Sequence, residues 1–579
     1  MKKYALQFLI SSIGLALATA APNSLDTTFG AGTGKTATPV GSGNAYISDL
    51  KLTSDGKILA AGTSFNGTDF DFALGRYNTN GTVDTTFGLT PGRTITDFGG
   101  NDSIVGIAFH TTATSGVVAA GTTNNGTNNF IALARYNLNV NGVTDGSLDS
   151  AFGTAGTLST DLGVASGVVV DGSQNILVSG TLSNDFVLYR YNSTGALDGT
   201  FGSGGKATAD FGNAETSTCI ALQTDGKILV AGYTYNSSTG YTDFALARFL
   251  VTGTLDPNFG TGGKVTTRIL GFDKANGIVA RSDGKIFLVG SSGSGAISYF
   301  GLVRYNADGT LDPTFGWSGK VLTSFGGFEI GYRVVLQPDG AILVAGSSSN
   351  GVNTDFALAR YSSNGTLDNS FNSLKTHAHD STGEVTTDFA GFNDEAHAMA
   401  LLPDGRIVLG GFSIQGSGLE WFALARYSGG SLSPYTYDSS YGLRYYTGTS
   451  PFGGGSYEST ELGTLSFFPY PWQNYAYSSR LQDYLYGDFT TGYLYGAQYG
   501  RLIANADGDQ WYYSYCVGWI FVGNFAGTVY DGAVYSLRFG WIWPLGAGNF
   551  FYSSIYGWIK AYGNGYVFLC SYNRGTYYQ

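Results

Sequence analysis

The sequence predicts an all-β fold: a seven-bladed β-propeller closed by its N-terminal strand, followed by a small aromatic-rich β domain. Three observations carry this. One unit recurs seven times between Leu25 and Tyr427, reading Leu-Asp-x-x-Phe-Gly, a strand, Asp-Gly-Lys-Ile-Leu, and Phe-Ala-Leu-Ala-Arg-Tyr. Repetition at this length marks an array of supersecondary units. Each copy holds four short apolar or alternating runs, which is the strand period rather than the helical one. Four antiparallel strands per unit are the content of a propeller blade.

The clearest copy runs from Leu255-Asp256-Pro257-Asn258-Phe259-Gly260 through Asp283-Gly284-Lys285-Ile286 to Phe300-Gly301-Leu302-Val303-Arg304-Tyr305. The first strand follows Phe-Gly, as in Lys264–Thr267, and the second precedes Asp-Gly, as in Tyr332–Leu336. The third, as in Lys227–Gly232, is apolar on both faces and reads as fully buried. The fourth is Phe-Ala-Leu-Ala-Arg-Tyr. Asp-Gly between two apolar runs is a hairpin signal, because tight hairpin turns need residues tolerant of positive φ. That hairpin should supply the two inner strands of each blade, with the Phe-Gly strand outermost. The chain then starts with an outermost strand near Lys35–Thr38 and ends with a blade's third strand, Phe422–Tyr427. Pairing the two would leave no uncovered edge. Two copies depart from the pattern: Ser115-Gly116 occupies the Asp-Gly slot of the second, and Gln174-Asn175 replaces Gly-Lys in the third.

These motifs together resemble the delta-60 repeat family of exported bacterial proteins, over residues 25–429. The resemblance implies a secreted, propeller-like module and no particular reaction. The flanks agree with export. Lys2 and Lys3, an apolar stretch to Leu17, and Ala18-Thr19-Ala20 have the form of a signal peptide, residues 1–20. No later apolar run is long enough to span a bilayer. The expected organisation is therefore a propeller over 21–429, a linker over 430–460 beginning Gly-Ser-Leu-Ser-Pro, and an aromatic, glycine-rich hairpin domain over 461–579.

Composition narrows the function. Charged residues are 12% and hydrophobic ones 43%, the reverse of a disordered chain. A net charge of −12 argues against nucleic acid and anionic membrane as partners. No nucleophile elbow, phosphate loop or zinc-protease helix occurs, so no catalytic residue is assigned. Three cysteines are too few for a disulfide framework. Cys219 reads as a buried small hydrophobe, and Cys516 and Cys570 could pair.

Every copy ends in an arginine: Arg76, Arg135, Arg190, Arg248, Arg304, Arg360 and Arg426. Each shares a face with apolar residues and must be paired. Asp84, Asp149, Asp198, Asp256, Asp312 and Asp368 are the expected partners, in a structural role. A second register lies ten residues before each Asp-Gly: Ala45, Asp161, Glu215, Asp273, Glu329 and Asp394, with Asp102 nearby. These acids should enter the innermost strands at one mouth of the channel. They could hold a cation such as Ca²⁺; the plainer reading is that each accepts hydrogen bonds from its own loop. His377 and His379 fall in a polar insertion and read as solvated. The Asn/Ser/Thr/Gly-rich loops between the third and fourth strands of each unit, such as Tyr233–Thr242, are the variable surface on which recognition usually lives.

In the C-terminal region Gly518-Trp519-Ile520, Gly540-Trp541-Ile542 and Gly557-Trp558-Ile559 recur, and Asp507-Gly508-Asp509-Gln510-Trp511-Tyr512-Tyr513 precedes them. These elements are similar to the Trp-Tyr-Tyr and Gly-Trp elements of choline-binding cell-wall repeats. They build either an aromatic core or a stacking platform for sugars or ammonium groups, with Trp511, Trp519, Trp541 and Trp558 as the binding candidates. The sequence thus leads to a monomeric, secreted or cell-surface binding scaffold for a glycan or protein. The alternatives are a secreted propeller enzyme acting on polysaccharide and a cell-wall-binding protein acting through its C-terminal region.

Overall fold

The structure is a computed structural model. It describes residues 24–111, 115–138, 143–294, 297–371 and 383–429, together with the backbone of paired strands between Tyr435 and Ser571. The chain divides into two compact units, Met1–Gly430 and Ser431–Gln579.

In the first unit the strands pair in the order the hairpins predict. Glu329–Leu336, Ile342–Ser349, Thr354–Tyr361 and Glu384–Thr387, for example, form one antiparallel sheet in that order. Two successive sheets are joined by a single parallel bridge, Thr242 to Phe272. The sheet of the last copy takes its fourth strand from the N-terminus. Lys35–Thr38 pairs with Glu420–Tyr427, Lys35 opposite Ala425 and Thr38 opposite Phe422. The first strand of each sheet packs against the first strands of both neighbours, including Ala45–Leu52 against Asp394–Leu401. The sheets therefore form a ring with these strands innermost. Arg333 Nη2 donates to the Ser48 carbonyl at 2.9 Å, tying innermost strands of non-consecutive copies. The core lies between sheets: Leu59, Phe72 and Leu74 of one pack with Ile104, Val117 and Ala132 of the next.

Each innermost strand carries a β-bulge at one fixed place, skipping Ser48, Val105, Ser166, Thr218, Asn276, Tyr332 and His397. A glycine of the neighbouring strand faces each bulge. A Cβ on Gly232 would stand 1.9 Å from the Thr216 carbonyl oxygen. The glycine ending Ile-Leu-Val-Ala-Gly is thus required by backbone approach at a bulge.

Two turn assignments need correction. Ser115 and Gly116 are not a turn; they open the strand Ser115–Asn124, paired with Thr111 and His110. In the third copy the Asp171 amide bonds the Asn175 carbonyl as the Gln223 amide bonds Lys227 in the fourth. Asp171-Gly172 therefore sits two places earlier in its turn than other Asp-Gly pairs. Gln174 takes the positive-φ place of Gly226, at 64° against 81°.

The repeated arginines are staples. Arg76 Nε meets Asp84 at 2.7 Å, Arg248 meets Asp256 at 2.9 Å and Arg304 meets Asp312 at 2.9 Å. Arg135, Arg190 and Arg360 pair with Asp149, Asp198 and Asp368. Arg426 pairs with Asp26, 400 residues away in the chain, at 2.9 Å. Arg248 also lies over the Phe259 ring, 4.3 Å from its centroid, and donates to the Ala307 carbonyl of the following copy. The shared Leu-Asp-x-x-Phe-Gly motif supplies both the carboxylate and the ring.

In the second unit, antiparallel strands follow in chain order from Tyr435–Asp438 to Asp483–Tyr486 and from Gln510–Ser514 to Cys570–Ser571. Trp511 stands opposite Phe521, Trp519 opposite Tyr513, Trp541 opposite Tyr535 and Trp558 opposite Tyr552. Cys219 is buried and free. Cys516, His377, His379 and residues 1–20 lie outside the described residues. Among the described residues no helix is long and apolar enough to cross a membrane.

Candidate functional site

The ten-residue register is realised in part. Glu215, Asp273, Glu329 and Asp394 begin or lie near the start of innermost strands, as does Asp102. Asp161 does not. It lies on Thr157–Leu162, the outermost strand of the second sheet, and accepts the Tyr191 hydroxyl at 2.8 Å. The early Asp-Gly of the third copy displaces the count by two; Gly163 holds the equivalent place.

Each of these acids accepts an amide of its own loop. Phe98 donates to Asp102 at 2.7 Å, Ile269 to Asp273 at 2.6 Å, Phe325 to Glu329 at 3.1 Å and Phe389 to Asp394 at 2.7 Å. Asn213 donates to Glu215 at 3.1 Å. The innermost acids do not form one ring-wide cluster. Three of them instead belong to local triads with acids outside that register. Asp71, Asp97 and Asp102 form one, Asp185, Asp210 and Glu215 the second, and Asp355, Asp388 and Asp394 the third. In each, one oxygen per residue lies within 4.8 Å of the others. The first acid opens the third strand of its sheet, the second follows the outermost strand, and the third sits on the innermost strand of the next sheet. Every triad therefore spans two sheets. The sequence signal is an Asp-Phe pair occurring twice in one copy, as Asp71-Phe72 and Asp97-Phe98.

Burial dominates the protonation of the triads. It pushes the Asp102 carboxyl up to about 6 against hydrogen bonds from the Thr123 hydroxyl and the Phe98 amide, and Asp97 and Asp71 push it the same way. Burial likewise raises Asp394 to about 7, with Asp388 and Asp355 adding repulsion. Asp71 and Glu215 are raised for the same leading reason. A carboxyl raised in the folded state binds more protons there than in the unfolded chain, so its contribution to stability falls as pH climbs through this range. Buried His110, whose imidazole burial pushes down, works in the opposite sense but is a single group. Below about pH 4 the corner Asp26, held at about 2, takes over and stability falls with acid. The melting temperature in chelator-containing buffer is expected to peak between about pH 4 and 6 and to drop by several degrees by pH 8. A pH scan by circular dichroism checks this.

A second cluster gathers residues of the sixth and last sheets. The Tyr332 hydroxyl donates to Glu395 Oε2 at 3.1 Å, and His397 Nε2 lies 3.2 Å from the same oxygen. The His397 ring packs edge-on against Tyr332 at 4.6 Å and Phe412 at 5.7 Å. His397 and Tyr332 are both bulge residues, so the bulge aims them together.

The loops and strand ends that carry the triads, and those beside them, also expose apolar side chains. Tyr235, Tyr241, Leu270, Phe272, Phe328 and Phe392 are each more than a third accessible. Tyr241 and Phe272 meet at 5.2 Å, and the Arg268 guanidinium lies over Tyr241 at 5.5 Å.

Five segments, residues 53–87, 175–201, 223–259, 281–315 and 337–371, match the model of a family described as Domain of unknown function (DUF5122) beta-propeller. No curated protein matches the chain in sequence. Solved structures similar to it include virginiamycin B lyase from Staphylococcus aureus, at 12% identity over 68% of this chain and 98% of that one, TM-score 0.38. The β-propeller domain of the Trilobed protease from Pyrococcus furiosus is similar at 11% identity over 67% and 94%, TM-score 0.33. A gluconolactonase from Xanthomonas campestris is similar at 11% identity over 68% and 97%, TM-score 0.31. By its repeats and its strand order, the chain is a β-propeller repeat protein.

Proposed function

We propose that this protein is an exported, non-enzymatic binding scaffold. Its ring has seven blades, one per copy of the repeat, and its carboxylate-bearing face binds an extracellular glycan or protein. The observation that carries this is the set of exposed Tyr235, Tyr241, Phe272, Phe328 and Phe392 on strand ends and loops of that face. Apolar surface of this kind among polar loops marks a contact surface, and flat aromatic faces suit sugar rings or protein side chains. A non-enzymatic role is supported by the innermost carboxylates, which are engaged with backbone amides. The C-terminal hairpins, with Trp511, Trp519, Trp541 and Trp558, supply attachment to the cell wall.

The test is retention of the full-length secreted chain on insoluble polysaccharides, cell walls and surface-protein fractions. One matrix is expected to retain it, without release of reducing ends. Tyr241→Ser with Phe272→Ser is expected to weaken retention about tenfold, since two aromatic anchors contribute on the order of 1–2 kcal/mol together.

A further inference from the structure

The three acid triads have features that their surroundings do not satisfy. Asp71 accepts the Asn66 amide at 2.9 Å, Asp102 accepts the Phe98 amide and the Thr123 hydroxyl, and Asp394 accepts the Phe389 amide and the Ser413 hydroxyl. Glu215 Oε1 accepts the Thr234 hydroxyl at 3.0 Å. The second oxygens, Asp71 Oδ1, Asp102 Oδ1, Glu215 Oε2 and Asp394 Oδ1, are buried with no hydrogen-bond partner among the described residues. All four residues are at most 3% accessible. An unsatisfied buried carboxylate oxygen is costly.

The chain itself shows what fills such a place. At the junction after the fourth copy, the acids equivalent to Asp71 and Asp102 are Asp243 and Asp273, but the middle position is Arg268. Its Nε donates to Asp243 Oδ1 at 2.8 Å. There Asp273 Oδ1 takes the Ser292 hydroxyl at 2.6 Å, and neither Asp243 nor Asp273 has an oxygen left over. There the protein supplies its own cation to Asp243, while a serine hydroxyl completes Asp273.

Of the three positions the first two change together, while the third keeps its carboxylate after the fifth copy as Glu329, whose Oε2 is likewise buried without a partner among the described residues. At the junction of the last and first copies they read Trp421, Pro39 and Ala45; after the fifth copy they read Tyr299, Ser324 and Glu329. Coupled change of this kind elsewhere in the ring tracks direct contact. Tyr136, Tyr305 and Tyr361 each bond a threonine of the preceding sheet, and where the tyrosine becomes Phe249 the threonine becomes Ala209.

We propose that each of the three triads binds one hard divalent cation, calcium by preference, which bridges two adjacent blades. The donors are carboxylate oxygens alone, which excludes soft-metal preference. Calcium–oxygen distances of about 2.3–2.6 Å place ligands on one ion up to about 5 Å apart, and the triad oxygens lie within 4.8 Å of one another. Exposed Asp97, Asp210 and Asp388 leave each site open for water to complete the coordination.

The test is equilibrium dialysis of the chelator-stripped, full-length chain against calcium chloride. The combined variant Asp97→Asn, Asp210→Asn, Asp388→Asn, which alters exposed side chains, is expected to lose three equivalents of bound calcium. Asp388→Asn alone is expected to lose one, and Arg268→Asp to gain one. Wild-type protein is expected to melt higher with calcium at pH 8, and the combined variant to show no such rise. Absence of calcium binding by the wild type, or an unchanged stoichiometry in the combined variant, overturns the proposal. If Arg268→Asp does not fold, the single and combined asparagine variants decide it.

Discussion

Deleting residues 24–38 is expected to abolish cooperative folding of the ring. The segment supplies the outermost strand of the last sheet, so its loss uncovers the edge of Glu420–Tyr427. It also supplies Asp26, which meets Arg426 at 2.9 Å and Arg406 at 3.0 Å. Arg426 is 1% accessible, and leaving it unpaired costs about 3–5 kcal/mol. Phe29, wholly buried beneath that guanidinium, adds about 1.5–3 kcal/mol. Together these approach the whole stability of an ordinary domain, about 5–15 kcal/mol. The uncovered edge is also a template for association. Size-exclusion chromatography and urea unfolding should show aggregates and no sharp transition. A soluble monomer with an unchanged midpoint would disprove the closing role of the strand.

The second large effect is expected at an inner staple. Arg248→Ala removes the partner of Asp256, which is 1% accessible, along with the stacking on Phe259 and the link to Ala307 of the next copy. Lys227 Nζ, 3.8 Å from Asp256, compensates only in part. The expected loss is about 3–5 kcal/mol by urea unfolding. The same change at Arg190, whose pair with Asp198 is 15% and 20% accessible, should cost nearer 1 kcal/mol. Arg248→Leu combined with Asp256→Leu should recover part of the loss, since no buried charge is then orphaned. Equal effects at Arg190 and Arg248 would show that burial does not set the worth of these pairs.

Much of the ring is legible in the amino-acid order. Asp-Gly between apolar runs marks the inner hairpin. The order of runs dictates the sheet order, and an arginine on an apolar face demands the aspartate it has. Where sequence and structure part, the causes are specific. Counting back from Asp-Gly puts Asp161 on an innermost strand only if the third copy's Asp-Gly holds the usual place in its turn; Gln174 at positive φ shows that it does not. The bulges shift strand alternation by one place, so that in Ala45–Leu52 the buried residues are Ala45, Ile47 and Leu50, and their clearest trace is the glycine in an otherwise apolar strand. The triads escape periodicity altogether, because their members come from three strands and two sheets. Alternation reports which face a residue occupies, whereas a triad depends on which sheets meet. The doubled Asp-Phe within a copy is the clue the chain offers.

The repeated features build the ring, and the proposed binding lies on the triad-bearing face, where copies differ. The most direct measurement compares two surfaces of the ring on the matrix that retains the protein. Tyr241→Ser with Phe272→Ser alters the triad-bearing face; Leu89→Ser with Trp317→Ser, at 74% and 81% accessibility, alters exposed turns after the Phe-Gly motif. Retention is predicted to fall about tenfold for the first pair and to stay at the wild-type level for the second. Loss confined to the second pair would contradict this assignment.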